Sequence, residues 1–85
     1  MPAQSAGDDN PQVEISARAW AGATYVFAVN SGYTATDAKI TVPALNGRTL
    51  SVMGESRRVD SDGDSFTDHF APLAVHLYIA APAGN

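Results

Sequence analysis

Residues 13–30 read VEISARAWAGATYVFAVN, and the spacing of their apolar side chains decides the fold. In the first half the odd positions Val13, Ile15, Ala17 and Ala19 are apolar, Glu14, Ser16 and Arg18 are polar, and Trp20 closes the even set. Period two sustained in this way is the pattern of a strand with one buried face. In residues 24–30, Tyr25, Phe27 and Val29 occupy one face and Val26 and Ala28 the other. A run that is apolar on both faces belongs at the centre of a sheet. Ala21-Gly22-Ala23 between the two is short enough for a hairpin, with glycine where a positive φ is needed.

The same period continues along the chain. Residues 38–42, AKITV, alternate until Pro43 removes the next ladder donor. Asn46-Gly47 is the strongest two-residue hairpin signal, because both central residues of a type I′ turn take φ > 0. Residues 48–53 then set Leu50 and Val52 against Thr49 and Ser51. Residues 55–60 form a weaker polar strand anchored by Val59, and Asp62-Gly63 is a second tight-turn signal. Phe66 and Phe70 share a parity in residues 65–70. Beyond Pro72, residues 74–80 place Val75, Leu77 and Ile79 on one face and His76 and Tyr78 on the other. No window keeps a helical stripe. Short strands with turn signals every eight to twelve residues or so predict an all-β fold, a small antiparallel β-sandwich of six to seven strands. The expected core is Val13, Ile15, Phe27, Val29, Ile40, Val42, Leu50, Val52, Phe66, Val75, Leu77 and Ile79. Residues 12–81 form the expected domain, after a flexible polar linker over 1–11 and before a short tail over 82–85.

Composition narrows the function. The chain has 85 residues, 45% of them hydrophobic, no cysteine and a net charge of −4. That length suits one small domain. Nine acidic residues against five basic ones give the wrong sign for a phosphate-neutralising surface, so no nucleic-acid partner is expected. The leader has neither a positive n-region nor an apolar run, and no segment has the roughly 20 consecutive apolar residues of a membrane span, so no membrane partner is expected. Enzymatic activity is not expected either. A glycosidase needs two carboxylates facing one cleft, the only glutamates are Glu14 and Glu55, and no G-x-S-x-G nucleophile elbow is present.

Binding groups are few. His69 and His76 lack further ligands at zinc spacing. Asp60, Asp62 and Asp64 in DSDGD make a weak calcium candidate, although the glycine and bidentate-acid positions of an EF-hand loop hold Ser65 and Ala71. The alternative is a tight turn with solvated acids, and no cofactor is expected. Trp20 and Tyr33 offer aromatic faces of the kind on which sugar rings stack, with Arg18, Asn30 or Asp37 as a hydrogen-bonding rim. The other reading of Trp20 is cover for the core or contact with a neighbouring domain.

Four stretches together carry a family likeness: TYVFAVN at 24–30, AKITVP at 38–43, SFTDHF at 65–70 and APLAVHLYIA at 71–80. They resemble the small C-terminal β-sandwich appended to the catalytic barrels of many glycoside hydrolases, over residues 13–80. The resemblance implies structural positions for Asn30 at a strand end, Phe66 and Phe70 as inward anchors, and Pro72 before the last strand. It further implies a non-catalytic accessory domain of an exported bacterial carbohydrate-active enzyme, extracellular or periplasmic. Two roles stay open: weak carbohydrate binding through exposed aromatics, or packing on an adjoining catalytic domain to stabilise it.

Overall fold

Strand alternation is realised throughout the computed structural model, which describes residues 7–43 and 45–81. The strands are β1 (Gly7–Asp8), β2 (Val13–Trp20), β3 (Ala23–Asn30), β4 (Thr36–Thr41), β5 (Thr49–Val52), β6 (Arg57–Asp60), β7 (Ser65–Phe70) and β8 (Val75–Ala80). Every pairing is antiparallel. One sheet has the order β1-β4-β7 and the other β2-β3-β8-β5-β6, and the two close face to face as a small β-sandwich. Seven of these strands have four or more residues, in line with the expected number, and β1 adds a two-residue strand inside the stretch read as linker. The expected tail, 82–85, lies outside the described residues, as do positions 1–6 of the linker.

Turn chemistry explains how the chain moves between layers. Trp20 pairs with Ala23 across Ala21-Gly22, and φ values of 53° and 83° at those two residues make the expected hairpin. Asn46 and Gly47 also have positive φ, 53° and 73°. However, the strands they connect, β4 and β5, belong to different sheets. The Asn-Gly turn is therefore a corner between layers and not the hairpin expected from its sequence. It is held by Asp64, whose Oδ1 accepts from the Asn46 N–H at 3.0 Å, and by the Gly63 carbonyl, which accepts from the Gly47 N–H at 2.7 Å.

The core corrects the expected orientation of two strands. Val26, Ala28, Tyr78 and Ala80 are fully buried, with His76 beside them. Phe27, Val29, Val75, Leu77 and Ile79, read as core, instead lie on the outer face of the five-stranded sheet. The opposite layer supplies the reason. Ile40, Phe66 and Phe70 fill the space from the three-stranded sheet, and Phe66 meets the Tyr78 ring edge-on at a centroid distance of 4.8 Å. At native packing density, large side chains on one layer leave room for small ones opposite, here Ala17, Ala28 and Ala80.

Both ends of the sandwich are tied by polar side chains. At the hairpin end Arg48 donates to the carbonyls of Leu45, Gly22 and Ala81 and to Thr24 Oγ1. At the other end Asn30 is fully buried and its amide is saturated. Its Oδ1 accepts from Gln12 Nε2 and the Gly32 N–H, and its Nδ2 donates to the carbonyls of Thr34 and Ala71. An Asn amide offers two donors and an acceptor with two lone pairs, so none is left over.

Ala21 holds a left-handed backbone that costs an L-residue with a Cβ roughly 1–2 kcal/mol, and Asn tolerates it. Ala21→Asn is expected to stabilise the domain by about 1 kcal/mol and to raise Tm by roughly 4–8 °C in a chain of this size. Thermal unfolding followed by circular dichroism checks this, and an unchanged or lowered Tm contradicts the turn geometry.

Candidate functional site

The two sheets differ in what they show to solvent. The outer face of β4 and β7 carries Asp37, Lys39, Thr41, Ser65, Thr67 and His69, arranged in the cross-strand pairs Asp37–His69, Lys39–Thr67 and Thr41–Ser65. Each of these is polar, as expected where one sheet face is wet. The outer face of β3 and β8 carries the pairs Tyr25–Ile79, Phe27–Leu77 and Val29–Val75. Phe27 is 49% exposed and Val75 61%. Trp20 on β2 lies at one corner, and exposed Met53, whose N–H donates to the Leu77 carbonyl at 2.9 Å, extends the apolar surface toward β5. Strand and residue spacings give this surface an area on the order of 300 Å², comparable to the largest apolar patch of an ordinary monomer, which is often functional. Arg18, Ser16 and Glu14 border it on β2, and Ser51 and Arg58 on β5 and β6.

A charged cluster between the sheets fixes this orientation. Arg57, on the edge strand β6, donates from Nη1 and Nη2 to the two carboxylate oxygens of Asp68 on β7, at 3.1 and 2.8 Å. Its Nε donates to Glu55 Oε1 at 2.8 Å. Glu55 Oε2 is 2.6 Å from His76 Nδ1, and His76 Nε2 is 3.2 Å from the His69 carbonyl oxygen. The buried Tyr78 hydroxyl donates to Asp68 Oδ2 at 2.6 Å. Burial alone would raise the Asp68 carboxyl, but the Arg57 guanidinium, the Tyr78 hydroxyl and the His69 N–H together hold it below its ordinary value. The hydrogen bond from Arg57, helped by His76, likewise lowers Glu55. Burial, reinforced by the bond to Asp68, pushes the Tyr78 phenol far up. The bidentate pair on Asp68 is the strong form of ion pair, and it joins the edges of the two sheets.

The residues read as a sugar platform fall in different places. Arg18 and Trp20, the latter 65% exposed, share the outer face of β2, and Arg18 lies directly across from Tyr25. Tyr33, 84% exposed, follows the far end of β3. Trp20 and Tyr33 thus flank opposite ends of a strand about 24 Å long and form no common surface. Asp37 lies on the outer face of the other sheet, with its Oδ1 2.6 Å from His69 Nδ1. Asn30 is interior and saturated, which leaves it no group for a ligand. The calcium candidates are also spread out: Asp60 Oδ1 accepts from the Thr49 hydroxyl and Asp64 Oδ1 from the Asn46 N–H. Asp60 and Asp62 line an open groove of about 380 Å³ together with Lys39. Among the described residues no three His, Asp or Glu side chains converge to hold a metal ion.

Neither Tyr25 nor the outer halves of β3 and β8 were read as site residues. The available signal was that both strands are apolar on both parities, while only one parity of β8 contains groups, His76 and Tyr78, that need polar partners. Family models, curated proteins and solved structures were each compared with the chain, and none matches it.

The cluster sets a pH dependence. Asp68 and Glu55 are depressed in the folded state from ordinary values of 3.8 and 4.5, so acid protonates the unfolded chain first. Their stabilisation is complete above about pH 4.5 and is lost as pH falls through the lower folded-state values. Urea unfolding at a series of pH values is expected to show stability falling below that point, with a shallower fall in Asp68→Asn; a flat profile contradicts the cluster. Tyr78→Phe keeps the ring but deletes a hydrogen bond to a charged group, and is expected to cost about 2 kcal/mol at neutral pH.

Proposed function

We propose that the chain is a non-catalytic accessory domain whose five-stranded sheet packs its outer face against an apolar surface of a neighbouring protein domain. The observation that carries this reading is the contrast between the two outer faces. The face of β4 and β7 is polar, while that of β3 and β8 has the composition of a buried layer. Water solvates the first at no cost, and each large apolar side chain on the second gains up to about 1.5–3 kcal/mol on full burial, most at the exposed Phe27 and Val75. The resemblance to the C-terminal sandwiches of glycoside hydrolases supports a catalytic barrel as the neighbour, an extracellular or periplasmic setting, and a stabilising role.

One observation favours a second reading. Arg18 and Tyr25 face each other across β2 and β3, and Trp20 stands diagonally from Tyr25 on the same surface. Diagonal neighbours lie about 7–8 Å apart, so two aromatic rings and a guanidinium border one flat area on which a sugar could stack. This platform keeps Trp20 and Arg18 from the expected set and replaces Tyr33 with Tyr25.

NMR titration separates the two readings. Isotopically labelled chain mixed with the catalytic barrel is expected to shift at Phe27, Val75 and Leu77, and Phe27→Lys is expected to abolish those shifts while leaving the fold intact. No response to the barrel contradicts the docking role. Shifts at Trp20, Arg18 and Tyr25 produced by soluble glycan fragments support the sugar platform.

A further inference from the structure

The outer edge of β2 is a second feature of the five-stranded sheet, beside its apolar face. β2 is an edge of the five-stranded sheet, and no strand pairs with that edge among the described residues. The Ser31 N–H donates to the Gln12 carbonyl, and the β2–β3 register continues unbroken over eight residue pairs. Even-numbered residues of β2 therefore direct their backbone groups toward β3, and the odd-numbered ones direct theirs toward the side on which no described strand is paired. Two contacts agree with this: Val13 N–H turns to the Asn10 carbonyl, and among the described residues the Ala17 carbonyl accepts only the guanidinium of the adjacent Arg18, at 3.3 Å.

Natural edge strands are protected by proline, bulges, inward-pointing charges or charged side chains along the edge. β2 has no proline, bulge or inward charge, since Val13, Ile15, Ala17 and Ala19 form its inward set, and its charges are Glu14 and Arg18 on the outward face. Its outward set instead forms a charge palindrome, with Glu14 and Arg18 placed symmetrically about Ser16 and all three exposed.

We propose that this edge pairs with the same edge of a second copy of the chain, antiparallel and centred on Ser16, joining two five-stranded sheets into one continuous sheet. In that register Ile15 and the partner copy's Ala17 exchange main-chain hydrogen bonds, and so does the symmetric pair. Glu14 faces the partner copy's Arg18 at a non-hydrogen-bonded site, where side chains stand closest. The guanidinium that now folds back on Ala17 moves to that carboxylate and frees the carbonyl for the partner strand. Centring on Ile15 or Ala17 pairs no opposite charges, and centring on Glu14 or Arg18 sets like charges face to face, which is destabilising. Charge complementarity thus selects a single register. The two-fold axis stands perpendicular to the sheet, so both apolar faces point the same way and stay open to other partners.

Sedimentation velocity over about 10 μM to 1 mM at roughly 0.15 M salt tests the pairing, the range in which weak dimers form. The expected result is a dimer fraction that rises with concentration. Glu14→Arg and Arg18→Glu should each weaken the dimer more than about tenfold, and the double exchange should restore it. Both side chains are exposed, and circular dichroism verifies that the variants fold. A covalent test stands beside this one: Ser16→Cys places a lone cysteine opposite its copy within disulfide reach and should oxidise to a covalent dimer, while Ser51→Cys on the outer face should not. A wild type that stays monomeric over the whole range, single exchanges that dimerise as well as wild type, a double exchange that fails to recover, or no Ser16→Cys crosslink overturns the proposal.

Discussion

The Tyr78 hydroxyl donates to Asp68 across the two sheets at 2.6 Å, and this bond decides which way the last strand faces. Strand parity is binary, so a slip of one residue moves every side chain to the other face. If β8 were turned over, Leu77 and Ile79 would enter the core and each gain up to about 1.5–3 kcal/mol from full burial. The inward-facing Asp68 would then lose Tyr78, and His76 would leave the partners that hold both of its nitrogens. Each hydrogen bond to a charged group lost in this way costs about 1.5–3 kcal/mol, and Tyr78 would also leave its edge-on contact with Phe66. Polar groups in the core can be satisfied only from within the domain, whereas an apolar outer face can be covered by another molecule. That difference makes the observed parity the favoured one and places a patch of large apolar side chains on the outside.

Much of the architecture was legible in the sequence because period two is a local property. Alternation in residues 13–20 gave a strand with one buried face and the two-faced run of 24–30 a central strand, and β3 does lie between β2 and β8. The Ala21-Gly22 hairpin follows from the short connection and from Gly22, which supplies one of its two positive φ values. Pairing partners are not local, and periodicity does not reveal them. Asn46-Gly47 has the dihedrals of a hairpin turn but turns a corner, because β4 pairs with β7 and β5 with β8. In β3 and β8 both parities are apolar, so hydrophobicity alone favoured the larger set, which proved to be the outer one. The choice depended on Glu55, Arg57 and Asp68, residues distant in sequence whose convergence no periodicity reveals.

The candidate site shows the same limit. Exposed aromatics were foreseen at Trp20 and Tyr33, but strand length separates them, and Tyr25 takes the place beside Trp20. Asn30 has the residue type of a ligand contact, yet its four filled hydrogen-bonding positions make it a pin between β3 and three neighbouring segments. The outer faces differ by sheet: β4 and β7 are polar outside, whereas β3 and β8 are apolar and bordered by polar side chains of β2, β5 and β6. The charged cluster closes the β6–β7 edge between these layers, and at the opposite end of its sheet β2 is paired on one side only among the described residues.

The most direct test of this account is which side chains of β3 and β8 touch the three-stranded sheet, measured by nuclear Overhauser contacts in the labelled domain. The account predicts contacts from the Tyr78 ring to Phe66 and from His76 to Phe70, with none from Phe27 or Leu77 to Ile40, Phe66 or Phe70. Contacts from Phe27 and Leu77 to Ile40 or Phe66, with Tyr78 facing solvent, would contradict it.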